Sequence, residues 1–280
     1  MSPIQFDHLG VTASHDGRVV HLELDHGKAN EIGTGVLREL EALTHHLEHS
    51  DAIVLVTYSR RTSSKGTPIF VAGADVTGRV DWSDDEVKAH VRWQRSVLGA
   101  LRRAPVFHVV VVNGVALGWG TEFLLTADYR IACDRASFGL PETGLGIVPG
   151  AGGTSDLWSE IGVAQALRLG MTGEGLSADD ALTIGLVQER AVDVDGGLAR
   201  AEELAERVMR RSPTAVAAFK RGVLDAVGRG PEDRVAIEDA AYTRCVDSGE
   251  AAIGRAHFAA IRKGERPPWG KRDLGDTQGS

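Results

Sequence analysis

The chain has 280 residues, 42% of them apolar and 25% charged, which excludes a largely disordered or fibrous protein and is long enough for one large core, with or without an appendage. A formal charge of -8 argues against general nucleic-acid binding, although a local basic patch could still take a phosphate-bearing ligand. No apolar run approaches the ~18 residues of a spanning helix, and MSPIQFDHLG lacks a basic region followed by a hydrophobic one, so we expect a cytoplasmic protein with no membrane partner. Cys133 and Cys245 lie far apart without a CxxC pair, which fits a reducing compartment and speaks against a zinc site.

Val19 to Leu24 (VVHLEL) alternates like a strand and ends in a polar turn. From Gly35 to His49, Val36, Leu37, Leu40, Leu43 and Leu47 recur at helical spacing. His45 and His49 have the spacing of two metal ligands on one helix face, but no carboxylate or further histidine supports them, and they read as a solvated face. Ile53 to Thr57 (IVLVT) is a second strand, followed by a basic loop, Arg60 to Thr67. Pro68 to Asp75 (PIFVAGAD) is a short apolar strand running into small residues. Such an end lets a ligand approach the backbone, or simply packs a tight turn. Asp84 to Arg103 reads as a long amphipathic helix.

After Pro105, Phe107 to Val112 (FHVVVV) has the composition of a strand buried on both faces, with His108 as a hydrogen-bonded core histidine. It turns at Asn113-Gly114 into NGVALGWGTE, residues 113–122. Strand, glycine loop and helix start place unpaired NH groups and the positive end of a helix dipole at one point, which stabilises negative charge. A dinucleotide fingerprint is rejected because Phe123 stands where its third glycine belongs. Glu122 in the first helical turn suits the dipole as well as it suits catalysis. Tyr129 to Cys133 (YRIAC) is another strand. Leu140 to Thr154 (LPETGLGIVPGAGGT) is a shaped loop leading to a helix near Thr154, and it lacks the Lys-Ser/Thr pair of a phosphate-binding P-loop. Glu142, entering that loop after Pro141, serves no helix and reads as a site residue. Leu198 to Arg210, Pro213 to Val227, Val235 to Val246 and Ala251 to Lys263 show helical apolar spacing, with no strand signal after about Val192.

PIFVAGAD, NGVALGWGTEFLLTADYRIA and FGLPETGLGIVPGAGGT, in this order and at these separations, resemble the enoyl-CoA hydratase/isomerase (crotonase) family over roughly residues 10 to 270. The resemblance implies an α/β fold: a crotonase-like spiral of β-β-α repeats over residues 1–195, then a helical trimerisation region over 196–270. Residues 271–280 we read as a flexible tail. It also implies a homotrimer or a hexamer built from two trimers, with an acyl-CoA substrate. By position, the amides of Ala74 and Trp119 would form an oxyanion hole, Glu122 and Glu142 match the two glutamates of hydratases, and Gly150 matches a water-positioning glycine. Ala29, Ala72 and Gly73 fall where the backbone meets coenzyme A. Phe258 and Lys263 resemble the CoA-contacting end, although IRKGERPPW follows that pattern only loosely.

The implied reaction is addition of water to a 2-enoyl-CoA, Glu122 serving the water and Glu142 the α-carbon proton, with no metal or redox cofactor and coenzyme A present only as part of the substrate. The alternatives are isomerisation or decarboxylation of an acyl-CoA or carrier-bound acyl thioester on the same scaffold, and a catalytically silent or RNA-binding member of the fold. One departure stands out: hydratases usually carry three glycines where this chain has Gly118-Trp119-Gly120. The indole of Trp119 either reshapes the acyl pocket or packs in the core.

Overall fold

The computed structural model describes residues 6–273. The chain opens with β1 (Leu9–Ser14), β2 (Val19–Leu24), α1 (Thr34–His49), β3 (Val54–Tyr58), β4 (Ile69–Val71) and α2 (Asp84–Arg103). It continues through β5 (Phe107–Val112), β6 (Val115–Leu117), α3 (Trp119–Phe123), β7 (Tyr129–Cys133) and β8 (Ser137–Gly139). Next come α4 (Leu157–Ile161), α5 (Val163–Thr172), β9 (Leu176–Ser177), α6 (Ala178–Thr183) and β10 (Glu189–Ala191). The remaining helices are α7 (Val194–Met209), α8 (Pro213–Ala226), α9 (Pro231–Asp247), α10 (Glu250–Ala256) and α11 (Phe258–Arg262).

The strands form a six-stranded sheet, β1-β2-β3-β5-β7-β10, and a four-stranded sheet, β4-β6-β8-β9. From β2 to β10 the first sheet is parallel, with β1 antiparallel at its edge. In the second, β4, β6 and β8 are parallel and β9 is antiparallel. The successive pairs β3/β4, β5/β6 and β7/β8 each give one strand to each sheet before a helix returns the chain. This is the β-β-α spiral that the motifs imply, and it brings the strand ends of every repeat to the same side.

Apolar periodicity explains most of the packing. Val36, Leu37, Leu40, Leu43 and Leu47 are the buried face of α1. The α2 helix starts where Ser83 and Glu86 bond reciprocally as a capping box, satisfying amides that a helix N-terminus leaves free. Ala201, Ala205 and Met209 of α7 close a second core against Val54, Val56, Val109 and Val111. The boundary drawn at 195/196 therefore falls within the first turn of a helix that packs on the sheet. His108 is fully buried, with Nε2 2.8 Å from Thr57 Oγ1, and burial drives its pKa down to about 3. The rings of His45 and His49 stack on each other, and no group of three or more His, Cys, Asp or Glu among the described residues could hold a metal ion. No helix among the described residues is long and apolar enough to cross a membrane.

Two expectations need correction. The single helix read over Ala251 to Lys263 is two short ones, parted at His257 (φ -106°, ψ 18°). Apolar spacing alone does not reveal that break. The start of the tail is held rather than free. The Arg272 guanidinium donates to Leu47 O at 2.6 Å, Ser50 O at 2.8 Å and Glu48 O at 3.1 Å, and also to the carbonyls of Ala52 and Pro105. It thereby satisfies carbonyls that the end of α1 leaves unpaired. Residues 274–280 of the tail lie outside the described residues. Because hydrogen bonds to a charged group contribute about 1.5 to 3 kcal/mol, Arg272→Ala is expected to lower unfolding stability by about 2 kcal/mol. A urea midpoint equal to the parent's would remove this strap from the account.

Candidate active site

The site grows from the parallel pairing of β4 with β6, in which Ile69 lies opposite Val115 and Val71 opposite Ala116. That register delivers residues 72–74 and 118–119 side by side. Gly73 (φ 121°) faces the Leu117 carbonyl, which a Cβ at residue 73 would approach to 3.6 Å. The Ala72 amide donates to Ala29 O, Ile32 N to Gly73 O, and Asp75 N to Ile32 O, each at 3.0 Å. Ala29 is thus joined to Ala72, next to Gly73. Between these bonds the Ala74 amide is left over, as is that of Trp119 at the start of α3. Neither donates to any group among the described residues. Two unpaired amides at adjacent strand ends, one of them at a helix N-terminus, form a corner fitted to an oxyanion.

Asn30, which the sequence reading passed over, supports the first half of this corner. It takes a positive φ of 55°, a conformation that asparagine tolerates better than most residues. Its Nδ2 donates to Phe70 O at 2.7 Å, Leu24 O at 2.9 Å and Ser59 Oγ at 3.0 Å. On the other half, Gly118 (φ 53°, ψ -118°) donates its amide to Gly139 O at 2.9 Å. A Cβ at Gly118 would stand 2.5 Å from Glu142 Oε1. Glycine is required here both for the backbone angle and for the space that the carboxyl occupies.

Glu122 is 4% exposed. Its Oε1 accepts from the amides of Ala151 at 2.7 Å and Gly153 at 2.9 Å. Burial pushes its pKa up to about 7 against the pull of those amides, and the nearby Glu142 carboxyl raises it further while Arg95 lowers it. Glu142 heads a short 3-10 turn, Glu142–Leu145. Burial raises its pKa too, and its Oε2 is buried with no partner among the described residues. Residues 20 apart in sequence thus meet as two carboxyl groups, each moved toward neutral pH, beside a pair of free amides. Such displacement is the usual mark of groups that handle protons.

Gly150 lies beside this pair. Its carbonyl accepts from Arg95 Nε at 2.9 Å, and its amide donates to no described group. The amides that hold Glu122 are those of Ala151 and Gly153, which the sequence reading did not single out; the only signal was the density of glycines. The helix expected near Thr154 begins instead at Leu157. Trp119 is 3% exposed, and its ring lies 5.3 Å from that of Phe123, four residues along α3. Phe258 is exposed and opens α11, with Lys263 at its C-cap. That helix packs against α10, and the structure joins neither residue to the two glutamates.

An α/β spiral that turns two unpaired amides and two carboxyl groups toward one corner is built to hold an oxyanion while protons move. The chain belongs to the enoyl-CoA hydratase/isomerase family, whose profile matches residues 15–271. It is 33% identical over 235 residues to a putative enoyl-CoA hydratase/isomerase, YngF, of Bacillus subtilis, covering 84% of this chain and 88% of that one. Identity to a short-chain-enoyl-CoA hydratase of Clostridium acetobutylicum is 29%, over 90% of this chain and 95% of that protein. Among solved structures, the enoyl-CoA hydratase of Bacillus anthracis superimposes with a TM-score of 0.85 at 29% identity, covering 95% of this chain and 100% of that one.

Proposed function

We propose that the protein is an enoyl-CoA hydratase, adding water reversibly across the double bond of a 2-enoyl-CoA to give a 3-hydroxyacyl-CoA. The observation that carries this reading is the meeting of Glu122 and Glu142 beside the free amides of Ala74 and Trp119. Hydration needs two proton transfers and one stabilised oxyanion. The Glu122 carboxylate takes a proton from water as its oxygen bonds to C3, and charge moves to the thioester oxygen. The two amides meet that charge where it develops, an effect worth about 3 to 4 kcal/mol per donor. The Glu142 carboxylic acid then delivers a proton to C2. The unassigned Gly150 amide is a natural second anchor for the attacking water. The reaction is redox-neutral and asks for no cofactor beyond the coenzyme A of the substrate.

The test is incubation of a panel of enoyl-CoAs in heavy-oxygen water, with Glu122→Gln and Glu142→Gln as controls. Solvent oxygen is expected at C3 of the product with the parent protein, and at strongly reduced rates with either variant. Migration of the double bond, or loss of carbon dioxide without oxygen uptake, would instead assign the sister chemistry.

In the same reading the chain works as a homotrimer, alone or paired into a hexamer. The helices α8, α9 and α11 expose Phe219, Val223, Tyr242, Val246 and Phe258, an apolar surface of the kind that a subunit interface covers. Light scattering on the eluting protein is expected to give three or six times the chain mass. A monomer at micromolar concentration would sink this part of the reading.

A further inference from the structure

Three buried nitrogen atoms on one side of the site have no partner among the described residues: Arg79 Nη2, His90 Nε2 and Gln94 Nε2. His90 is 7% exposed and Gln94 3%, one helical turn apart on the buried face of α2. Arg79 lies near His90, its guanidinium carbon 5.7 Å from the centre of the Trp82 ring. Trp82 in turn meets His90 edge-on with centroids 5.0 Å apart. The Arg79 guanidinium makes no direct ion pair or hydrogen bond among the described residues, and Asp75 attracts it only through space. Two acidic groups of the surrounding stretch each turn one carboxylate oxygen to local donors. Asp75 accepts from Thr77 N, Gly78 N and Thr77 Oγ1, and Glu86 from Ser83 N and Oγ. A guanidinium nitrogen withdrawn from water without an acceptor is costly, and three unpartnered nitrogens so placed call for an explanation.

The position of the cluster supplies one. Asp75 follows the oxyanion amide of Ala74 directly, and its bonds to residues 77 and 78 fix the turn that carries Arg79. On α2, Val91 Cγ1 stands 2.6 Å from where a Cβ on Gly150 would be, and Arg95 bonds the Gly150 carbonyl. The same helix therefore borders the loop that holds Glu122 and carries His90 and Gln94 on its buried face, His90 beside Arg79. The turn thus begins one residue beyond Ala74 and the helix abuts the loop of Glu122, so the two flank the corner from which an acyl group would extend.

We propose that Arg79, with His90 beside it and Gln94 one helical turn on, binds a carboxylate at the far end of the acyl chain, so that the preferred substrates are thioesters of dicarboxylic acids. The planar guanidinium matches a carboxylate bidentately, and the Gln94 side-chain amide can add a donor without adding charge. This rests on the acyl-thioester reading given above, but binding tests it without turnover.

The experiment is calorimetric titration with saturated CoA thioesters in pairs matched for length: succinyl and butyryl, glutaryl and valeryl, adipyl and hexanoyl. For at least one pair the parent protein is expected to bind the carboxylate-ended member roughly 10- to 100-fold more tightly, the span of one charge-assisted contact. Arg79→Met should abolish that preference and leave affinity for the methyl-ended member within about twofold. Arg79→Lys, which keeps the charge but loses the planar fork, should retain part of it. Equal or weaker binding of the carboxylate member in every pair by the parent protein would overturn the inference, as would a preference that survives in Arg79→Met. The parent's own preference decides the matter even if a variant fails to fold. Absence of solvent-oxygen incorporation would count against the hydratase reading alone.

Discussion

Replacing Glu122 with glutamine is expected to lower kcat for hydration by about 100- to 10,000-fold, the usual worth of a positioned general acid or base, and at the same time to make the protein more stable at pH 8. The second effect follows from the raised pKa. Below pH 4.5, the ordinary value for glutamate, the group is protonated whether the chain is folded or not, and it contributes nothing to the pH dependence. Between 4.5 and about 7 the unfolded chain releases the proton more readily, so folding stability falls as pH rises. Above about 7 the full penalty is in place, on the order of 3 kcal/mol. Glutamine can still accept from Ala151 and Gly153 but cannot ionise. Denaturant curves of parent and variant should therefore agree near pH 4.5 and diverge above pH 7, with the variant higher. A variant less stable than the parent at pH 8 would contradict the assignment of a strained, buried carboxylate. In the parent, kcat/KM should rise with pH through the same range if ionised Glu122 is the base in the free enzyme.

The second large effect concerns Trp119. Its indole is buried against Phe123, and removing a large core side chain costs about 3 to 5 kcal/mol. Trp119→Gly is expected to lose about that much stability while keeping the amide proposed to meet the thioester oxygen. The cavity opens at the residue whose amide lies at the oxyanion corner. Relative kcat/KM should therefore shift toward branched and longer enoyl-CoAs. Thermal unfolding and a comparison of acyl groups read the two effects separately. Unchanged relative kcat/KM would show that the indole has no bearing on the acyl space and serves the core alone.

These two residues also show where sequence patterning suffices and where it stops. The limits of α2 coincide with those read from its apolar spacing, and β5 and β7 likewise, because each carries a pattern that only one secondary structure can bury. Glu122, Glu142 and the two amide positions were legible because chain order and motif spacing resemble a known family. Strand, glycine loop and helix start alone justify an anion-stabilising corner, without saying what uses it. The two-residue β9 escaped notice because pairing with β8 makes it a strand, and its own composition does not. Ala151 and Gly153 escaped because an amide's direction depends on loop dihedrals. The unpartnered nitrogens of Arg79, His90 and Gln94 are visible only in three dimensions, since lacking a partner is a property of the surroundings.

The oxyanion corner is made of main chain, and this shapes how such a protein can change over generations. Ala74 and Trp119 contribute amides that every residue except proline possesses, so the chemistry of the corner does not depend on which side chains stand there. The bulky indole at residue 119 leaves that donor in place. Substitution at 74 or 119 can therefore alter the surroundings of the corner without removing its amides, although at 119 it also disturbs the core packing. Gly118 has no such latitude, because its backbone angle and the carboxyl against it leave no room for a side chain. Diversity and constraint sit one residue apart, and that adjacency gives the scaffold a short mutational path from one substrate to another.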